Sequence, residues 1–124
     1  MEVFRTAFAS IALTTALLIG TPSAKANSAI ALGQCDRVGY AYGYGSLGAA
    51  KVEALSQCAS NGDKTCEVIV TVHSGCGAVA VSENCGSRGW SYAPTRWQAE
   101  HLAVKQCVQH GGVNCTTRRW VCDQ

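Results

Sequence analysis

The stretch 46–66, SLGAAKVEALSQCASNGDKTC, and the stretch 95–115, TRWQAEHLAVKQCVQHGGVNC, decide how this chain is read. Each begins with a hydroxyl residue suited to cap a helix, Ser46 or Thr95, and Thr95 with Gln98 three positions on makes a capping-box pattern. Leu47, Ala50, Ala54, Leu55 and Cys58 recur on one stripe of the first predicted helix; Ala99, Leu102, Ala103 and Cys107 do so in the second. Asn61-Gly62 and Gly111-Gly112, tolerant of left-handed backbone, are the predicted stops. Seven residues separate Cys58 from Cys66, and seven separate Cys107 from Cys115. The two stretches are copies of one unit.

Outward from them the copying continues. With an offset of 49, residues 28–76 lie over 77–124: Ala29-Ile30-Ala31-Leu32 meets Ala78-Val79-Ala80-Val81, and one gap brings Gly39-Tyr40-Ala41-Tyr42 onto Gly89-Trp90-Ser91-Tyr92. Each unit reads as a short apolar strand (29–33, 78–82), an alternating aromatic strand (39–44, 89–93), the helix, and a β-branched strand (67–73, 116–122). Two copies are too few for a solenoid. The expected product is one α+β domain of two ββαβ units related by a pseudo-twofold axis. Its antiparallel or mixed sheet has up to six strands, with both helices on one face.

The segment ahead of the repeats has a different character. Met1 to Arg5 is a short basic-ended region, Thr6 to Ile19 is apolar and uncharged, and Ala24-Lys25-Ala26 has the small-x-small pattern of a signal-peptidase site. Residues 1–26 are therefore expected to be a signal peptide cleaved after Ala26, leaving 27–124 as a single secreted or periplasmic domain. An apolar run of about 14 residues falls short of the roughly 20 that a membrane span needs, so no transmembrane anchoring is expected after cleavage.

The chain has 124 residues, 48% of them hydrophobic and 15% charged, with eight cysteines and a formal charge of +2. Those numbers suit one small domain stapled by disulfides in an oxidising compartment. They exclude a nucleic-acid binder that neutralises many phosphates, since basic residues stand singly except at Arg118-Arg119. The repeat narrows the possible cysteine pairings. Cys58–Cys66 and Cys107–Cys115 each close the loop after a helix, Cys76–Cys122 is expected to tie the two halves together, and Cys35–Cys85 is the remaining pair, in equivalent first turns. Zinc knuckles and thioredoxin-like sites need cysteines closer together than any pair here, and no metal or cofactor is expected.

No catalytic set emerges from the residues. His73, His101 and His110 each stand in one unit only, with no visible partner for acid-base work, and the acidic residues are scattered. Ser74-Gly75-Cys76-Gly77 sets a cysteine between glycines, but a strand follows it where a nucleophile elbow needs a helix. Tyr40, Tyr42 and Tyr44 point to one side of their strand and Trp90 and Tyr92 to one side of theirs. The favoured expectation places these rings in the core beneath the helices, as a small domain needs. If small residues lie there instead, the rings form an open face, and Trp90, Tyr92, Arg118 and Trp120 are the candidate binding residues. Arg119 takes the place of Val70 and suggests an edge strand.

These motifs resemble a family of small secreted bacterial proteins catalogued as a domain of unknown function. The residues that carry the resemblance are Ala29-Ile30-Ala31, the helix endings Glu53 to Cys58 and Glu100 to Cys107, Gly75-Cys76-Gly77-Ala78-Val79-Ala80-Val81, and Trp120-Val121-Cys122. The resemblance implies an exported cysteine-paired α+β domain acting at the envelope or on a host, and no catalytic residues; Cys35 and Cys85 depart from its usual pattern. The expected function is a non-enzymatic interaction module, with an envelope or host protein as partner or a second copy in a homodimer. Its rivals are a small inhibitor of a protease or lysozyme and an enzyme with an unrecognised site.

Overall fold

Small residues set the geometry, because a helix packs closely on a strand only where neither side carries bulk. In the computed structural model, which describes residues 26–35, 37–60 and 62–123, the order is β1 (Asn27–Leu32), β2 (Val38–Tyr44), α1 (Leu47–Cys58), β3 (Glu67–Val72), β4 (Gly75–Val81), β5 (Arg88–Ala93), α2 (Arg96–Gln109) and β6 (Thr116–Asp123). The expected leader, apart from Ala26, and Asn61 of the first helix stop lie outside the described residues. Both units are ββαβ, and the domain is α+β.

The six strands do not share one sheet. They divide into two antiparallel three-stranded sheets, ordered β2-β1-β3 and β5-β4-β6, each with its own helix. Alternation explains the division. On one side of β1, Ala29 and Ala31 meet Ala50, Ala54 and Cys58 of α1; on one side of β4, Ala78 and Ala80 meet Ala99, Ala103 and Cys107 of α2. On the other sides Ile30, Leu32, Val70, Val72, Val79 and Val121 form a third cluster between the sheets. The layers therefore run helix, sheet, sheet, helix. A single sheet with both helices on one face would leave the Ile and Val side chains in water, where each forfeits roughly 1.5–3 kcal/mol of burial.

Gly39 and Gly89 fix the helix-to-sheet distance. A Cβ at Gly39 would strike the Ala54 carbonyl oxygen and the Cys58 amide; one at Gly89 would strike the Ala103 carbonyl oxygen and the Cys107 amide. A glutamine secures each contact. Gln57 Oε1 accepts from the Tyr40 amide at 3.2 Å, and Gln106 Oε1 from the Trp90 amide at 2.6 Å. The helices start at the expected caps: Ser46 Oγ accepts from the Ala49 amide at 3.1 Å and Thr95 Oγ1 from the Gln98 amide at 3.3 Å. Gln98 turns its side chain to the Thr95 hydroxyl, 3.2 Å away.

Bulges account for the gap in the repeat. Between Ala29↔Ala41 and Asn27↔Tyr44 β2 carries one extra residue, where Gly43 takes a φ of 75° that side chains rarely adopt. The β4–β5 loop, one residue longer than the β1–β2 loop, raises the offset to 50 at Tyr40 and Trp90, and the extra residue in β2 restores 49 at the helices. A second bulge is common to both units, with Ile69 and Arg118 as the extra residues.

Disulfides join Cys58 to Cys66 and Cys107 to Cys115 across the loops after the helices. Cys76 pairs with Cys122. These two face each other on adjacent strands of the second sheet, so this bridge lies within one unit and does not tie the halves together. In the first unit the corresponding residues are Asn27 and His73, whose Oδ1 and Nδ1 lie 3.0 Å apart. Cys35 and Cys85, the expected fourth pair, are both exposed and are not bonded to each other in this structure.

Gly39→Ala and Gly89→Ala are expected to cost about 1–3 kcal/mol each, because the added methyl forces a helix backbone away from its strand. Gly48→Ala, in α1 with open space around it, is expected to stabilise by roughly 0.5–1 kcal/mol. Urea unfolding of the three variants checks both signs.

Candidate functional site

Of the rings on the aromatic strands, Tyr44, beyond the Gly43 bulge, packs against the α1 cluster, but Tyr40, Tyr42, Trp90 and Tyr92 do not lie under the helices. Ala41 and Ala93 do, whereas Tyr40 pairs with Ile30, and Trp90 with Val79, on the face that looks toward the opposite sheet. Because β2 and β5 are edge strands, their rings reach past the apolar layer to solvent; Tyr42 and Tyr92 are 65% and 56% exposed. The alternative with small residues beneath the helices is the observed one.

The four candidate residues Trp90, Tyr92, Arg118 and Trp120 nevertheless do not share a surface. Trp90 and Tyr92 are on one edge of the second sheet and Trp120 is on the other, with β4 between. Trp120 pairs with Ala78, on the α2 side of the sheet, whereas Trp90 pairs with Val79 on the reverse. Arg118 is the bulge residue between Thr117 and Arg119. Strand alternation placed Trp90 and Tyr92 on one side together but did not place Trp120, which is on the reverse side and the other edge.

The structure builds two other surfaces. The first surrounds the start of α2, where Tyr92, Ala93, Pro94, Trp97, Gln98, His101 and Leu102 line a hollow of about 380 Å³. Trp97 is 65% and Leu102 46% exposed. His101 packs its ring on Trp97, with centroids 4.0 Å apart, and its Nδ1 lies 3.2 Å from the Trp97 carbonyl oxygen one turn back. The Tyr92 hydroxyl donates to the Ser74 carbonyl oxygen at 2.5 Å. The stripe expected to bury Leu102 is narrower than drawn: only Ala99, Ala103 and Cys107 are buried. The i,i+4 spacing of Trp97 and His101 was the available signal for this surface.

The second surface lies where β2 meets β6. Tyr40, Tyr42, Arg119, Trp120, Val121 and Cys122 line a groove of about 350 Å³. The Arg119 guanidinium carbon is 3.2 Å from the centre of the Tyr40 ring, and that of Arg96 is 3.8 Å from the centre of the Trp120 ring. Arg119 occupies the place that buried Val70 holds in the first unit, and β6 is an edge strand.

The histidines have structural partners. His73 meets Asn27, His101 meets Trp97, and His110 Nδ1 lies 3.1 Å from the Arg88 carbonyl oxygen. His73 also stands near a buried polar pair that joins the sheets. The Ser28 hydroxyl donates to Asp123 Oδ2, and both side chains are buried. Burial pushes the Asp123 carboxyl above the ordinary 3.8, against the opposing pull of the Gly43 amide and His73. Ser28 bonds the carboxylate directly, so the three do not form a nucleophile with its base. Among the described residues no group of three or more His, Cys, Asp or Glu side chains could hold a metal ion.

Cys35 and Cys85 line a third space, of about 410 Å³, with Gln34, Thr65 and Arg88. Both take left-handed backbone, φ 55° and 60°, in matching turns of the two units. A non-glycine residue adopts that conformation only where its surroundings enforce it.

Fold and surfaces together define a small α+β domain of two ββαβ repeats, held by disulfides and carrying aromatic rings on its edge strands. The chain belongs to the family described as Domain of unknown function (DUF4189), whose model matches residues 28–122. Among solved structures it is similar to the NMR structure of Rv1813c from Mycobacterium tuberculosis, with 22% identity and a TM-score of 0.56 over 98% of this chain and 96% of that one. That likeness is one of fold. No curated protein matches the chain.

The raised Asp123 pKa has a defined sign. Its neutral form is favoured in the folded state, so the associated stability is present in acid and is lost as pH rises above the ordinary 3.8 through the folded value. Asp123→Asn should therefore gain thermal midpoint relative to the parent as pH rises from about 3 to about 7. A difference that shrinks over that range would contradict this.

Proposed function

We propose that this chain is an exported, non-enzymatic interaction module of the periplasm or extracellular space that docks a protein through the apolar surface around α2 and β5. The observation that carries the reading is the exposure of Trp97, Leu102 and Tyr92 about one hollow on a disulfide-held frame. Exposed aromatic clusters are where binding energy concentrates in protein interfaces, and a frame that is already ordered loses little entropy on docking. Three disulfides fit an oxidising compartment. Strand β1 begins at Asn27, immediately after the predicted cleavage site, so removing the leader leaves it whole. No helix among the described residues is long and apolar enough to cross a membrane.

In that compartment Cys35 and Cys85 close a fourth bridge across the space they both line. Thiol-disulfide exchange with an oxidised dithiol donor takes two electrons and two protons from the pair and reduces the donor. Peptide mapping of the oxidised protein should find neither residue alkylated. Recovery of both as alkylated thiols, with the other six cysteines bridged, would remove this bridge from the proposal.

The docking surface is tested with Trp97→Ala and Leu102→Ala, alone and combined. Both side chains are exposed, so circular dichroism should show the parent fold. Cross-linking pull-downs from envelope and culture-medium fractions should capture a protein with the parent, and the double variant should bind it at least about 30-fold more weakly, as loss of a hot spot worth about 2 kcal/mol implies. Capture unchanged in the double variant would overturn the assigned surface. A concentration-dependent dimer in sedimentation that the variant abolishes would identify the partner as a second copy, and stoichiometric suppression of a hydrolase would make the module an inhibitor.

A further inference from the structure

We infer that the groove between β2 and β6 is a binding site for a carboxylate-bearing sugar ring. It is separate from the docking surface on α2, and the inference stands without it.

Charge placement is the first ground. Arg119 stands where the other unit has buried Val70, and a guanidinium there must recover the burial energy that valine supplies. Its Nε is buried and has no hydrogen-bond partner among the described residues, a condition that costs about 1–3 kcal/mol. With its carbon 3.2 Å from the Tyr40 ring centre, the guanidinium sits over that ring in the groove that Arg119 lines, and its donors suit a carboxylate, which can accept two N–H bonds of one guanidinium. Arg96, over Trp120, brings a second positive charge to the rim; its own carboxylate contact, Glu100, is 3.3 Å away on α2. No acidic side chain lines the groove.

Ring geometry is the second. Tyr40 and Tyr42 are parallel to within 1°, with centroids 6.3 Å apart. Arg119 covers Tyr40 and Arg96 stands over Trp120, which leaves the exposed Tyr42 ring as the stacking surface. The C–H bonds on a pyranose face are weakly positive and meet the negative face of an aromatic ring. About 350 Å³ accommodates one such ring.

The test is a titration of the purified oxidised protein with galacturonate, galactose and benzoate, followed by amide NMR shifts and tryptophan fluorescence. Galacturonate should shift Tyr42, Arg119 and Trp120 and bind at least tenfold more tightly than the other two, about the worth of one charge-assisted contact. Arg119→Gln should remove that preference for the acid over galactose. Tyr42→Ala, at an exposed position, should weaken galacturonate several-fold and keeps the test decisive if Arg119→Gln disturbs the packing of β2 on β6. An oligogalacturonide arm separates sources: tighter binding than the monomer identifies a polysaccharide, equal binding a free sugar acid. Benzoate or galactose binding as tightly as galacturonate, no shift in the groove, or indifference to both substitutions would overturn the inference.

Discussion

A helix backbone lies directly against a strand glycine, Ala54 over Gly39 and Ala103 over Gly89, with no room for a side chain between them, and the rest of the architecture follows from that approach. Helices this near their strands accept only Ala and Cys beneath them. Little apolar area is buried there, so most of the large side chains on β1, β3 and β4 must find cover on the reverse side. They find it in each other, across the layer that holds Ile30, Leu32, Val70, Val72, Val79 and Val121. Gly77 belongs to the same constraint, because a side chain there would strike Val70 and Val72 and force the sheets apart.

Much of this was legible in the residues. The shared offset of Ser46 with Thr95, Cys58 with Cys107 and Cys66 with Cys115 carried the repeat, the helix positions and the α+β class. What alternation along a strand does not contain is the identity of the layer it faces. Ala29 and Ile30 point to opposite sides whether the strands form one sheet or two. The unbroken apolar run Ala29 to Leu32, in a strand buried at all six positions, was the sign that both sides are covered. The aromatic rings followed suit in part: the common side of Tyr40 with Tyr42 and of Trp90 with Tyr92 was readable, but the Gly43 bulge turns Tyr44 to the α1 side, and the place of the rings on edge strands was set by strand order, which is a property of the whole fold.

The candidate surfaces were legible in fragments. Arg119 stood out as a misfit against Val70 from the sequence, and the structure gives that misfit a location, against Tyr40 at the sheet edge. Trp97 drew no notice, and His101 was weighed only for acid-base work, because the stripe assigned to α2 used Leu102 as a core position and left no question about the opposite side. Cys76 and Cys122 were readable as a pair, but not as neighbours within one sheet, since that depends on β4 and β6 lying side by side.

One substitution between the repeats gives the two halves different durability. The free end of the second sheet is fastened covalently by Cys76 and Cys122, while the matching end of the first is held by the contact of Asn27 with His73. A covalent fastening outlasts thermal fluctuation; a hydrogen-bonded one opens and recloses. The first repeat is therefore the half that frays first. Since Ser28 of that repeat grips Asp123 in the other, each such opening loosens a contact between the two sheets as well as the edge where it starts. The molecule is symmetric in outline and polar in the order of its local unfolding.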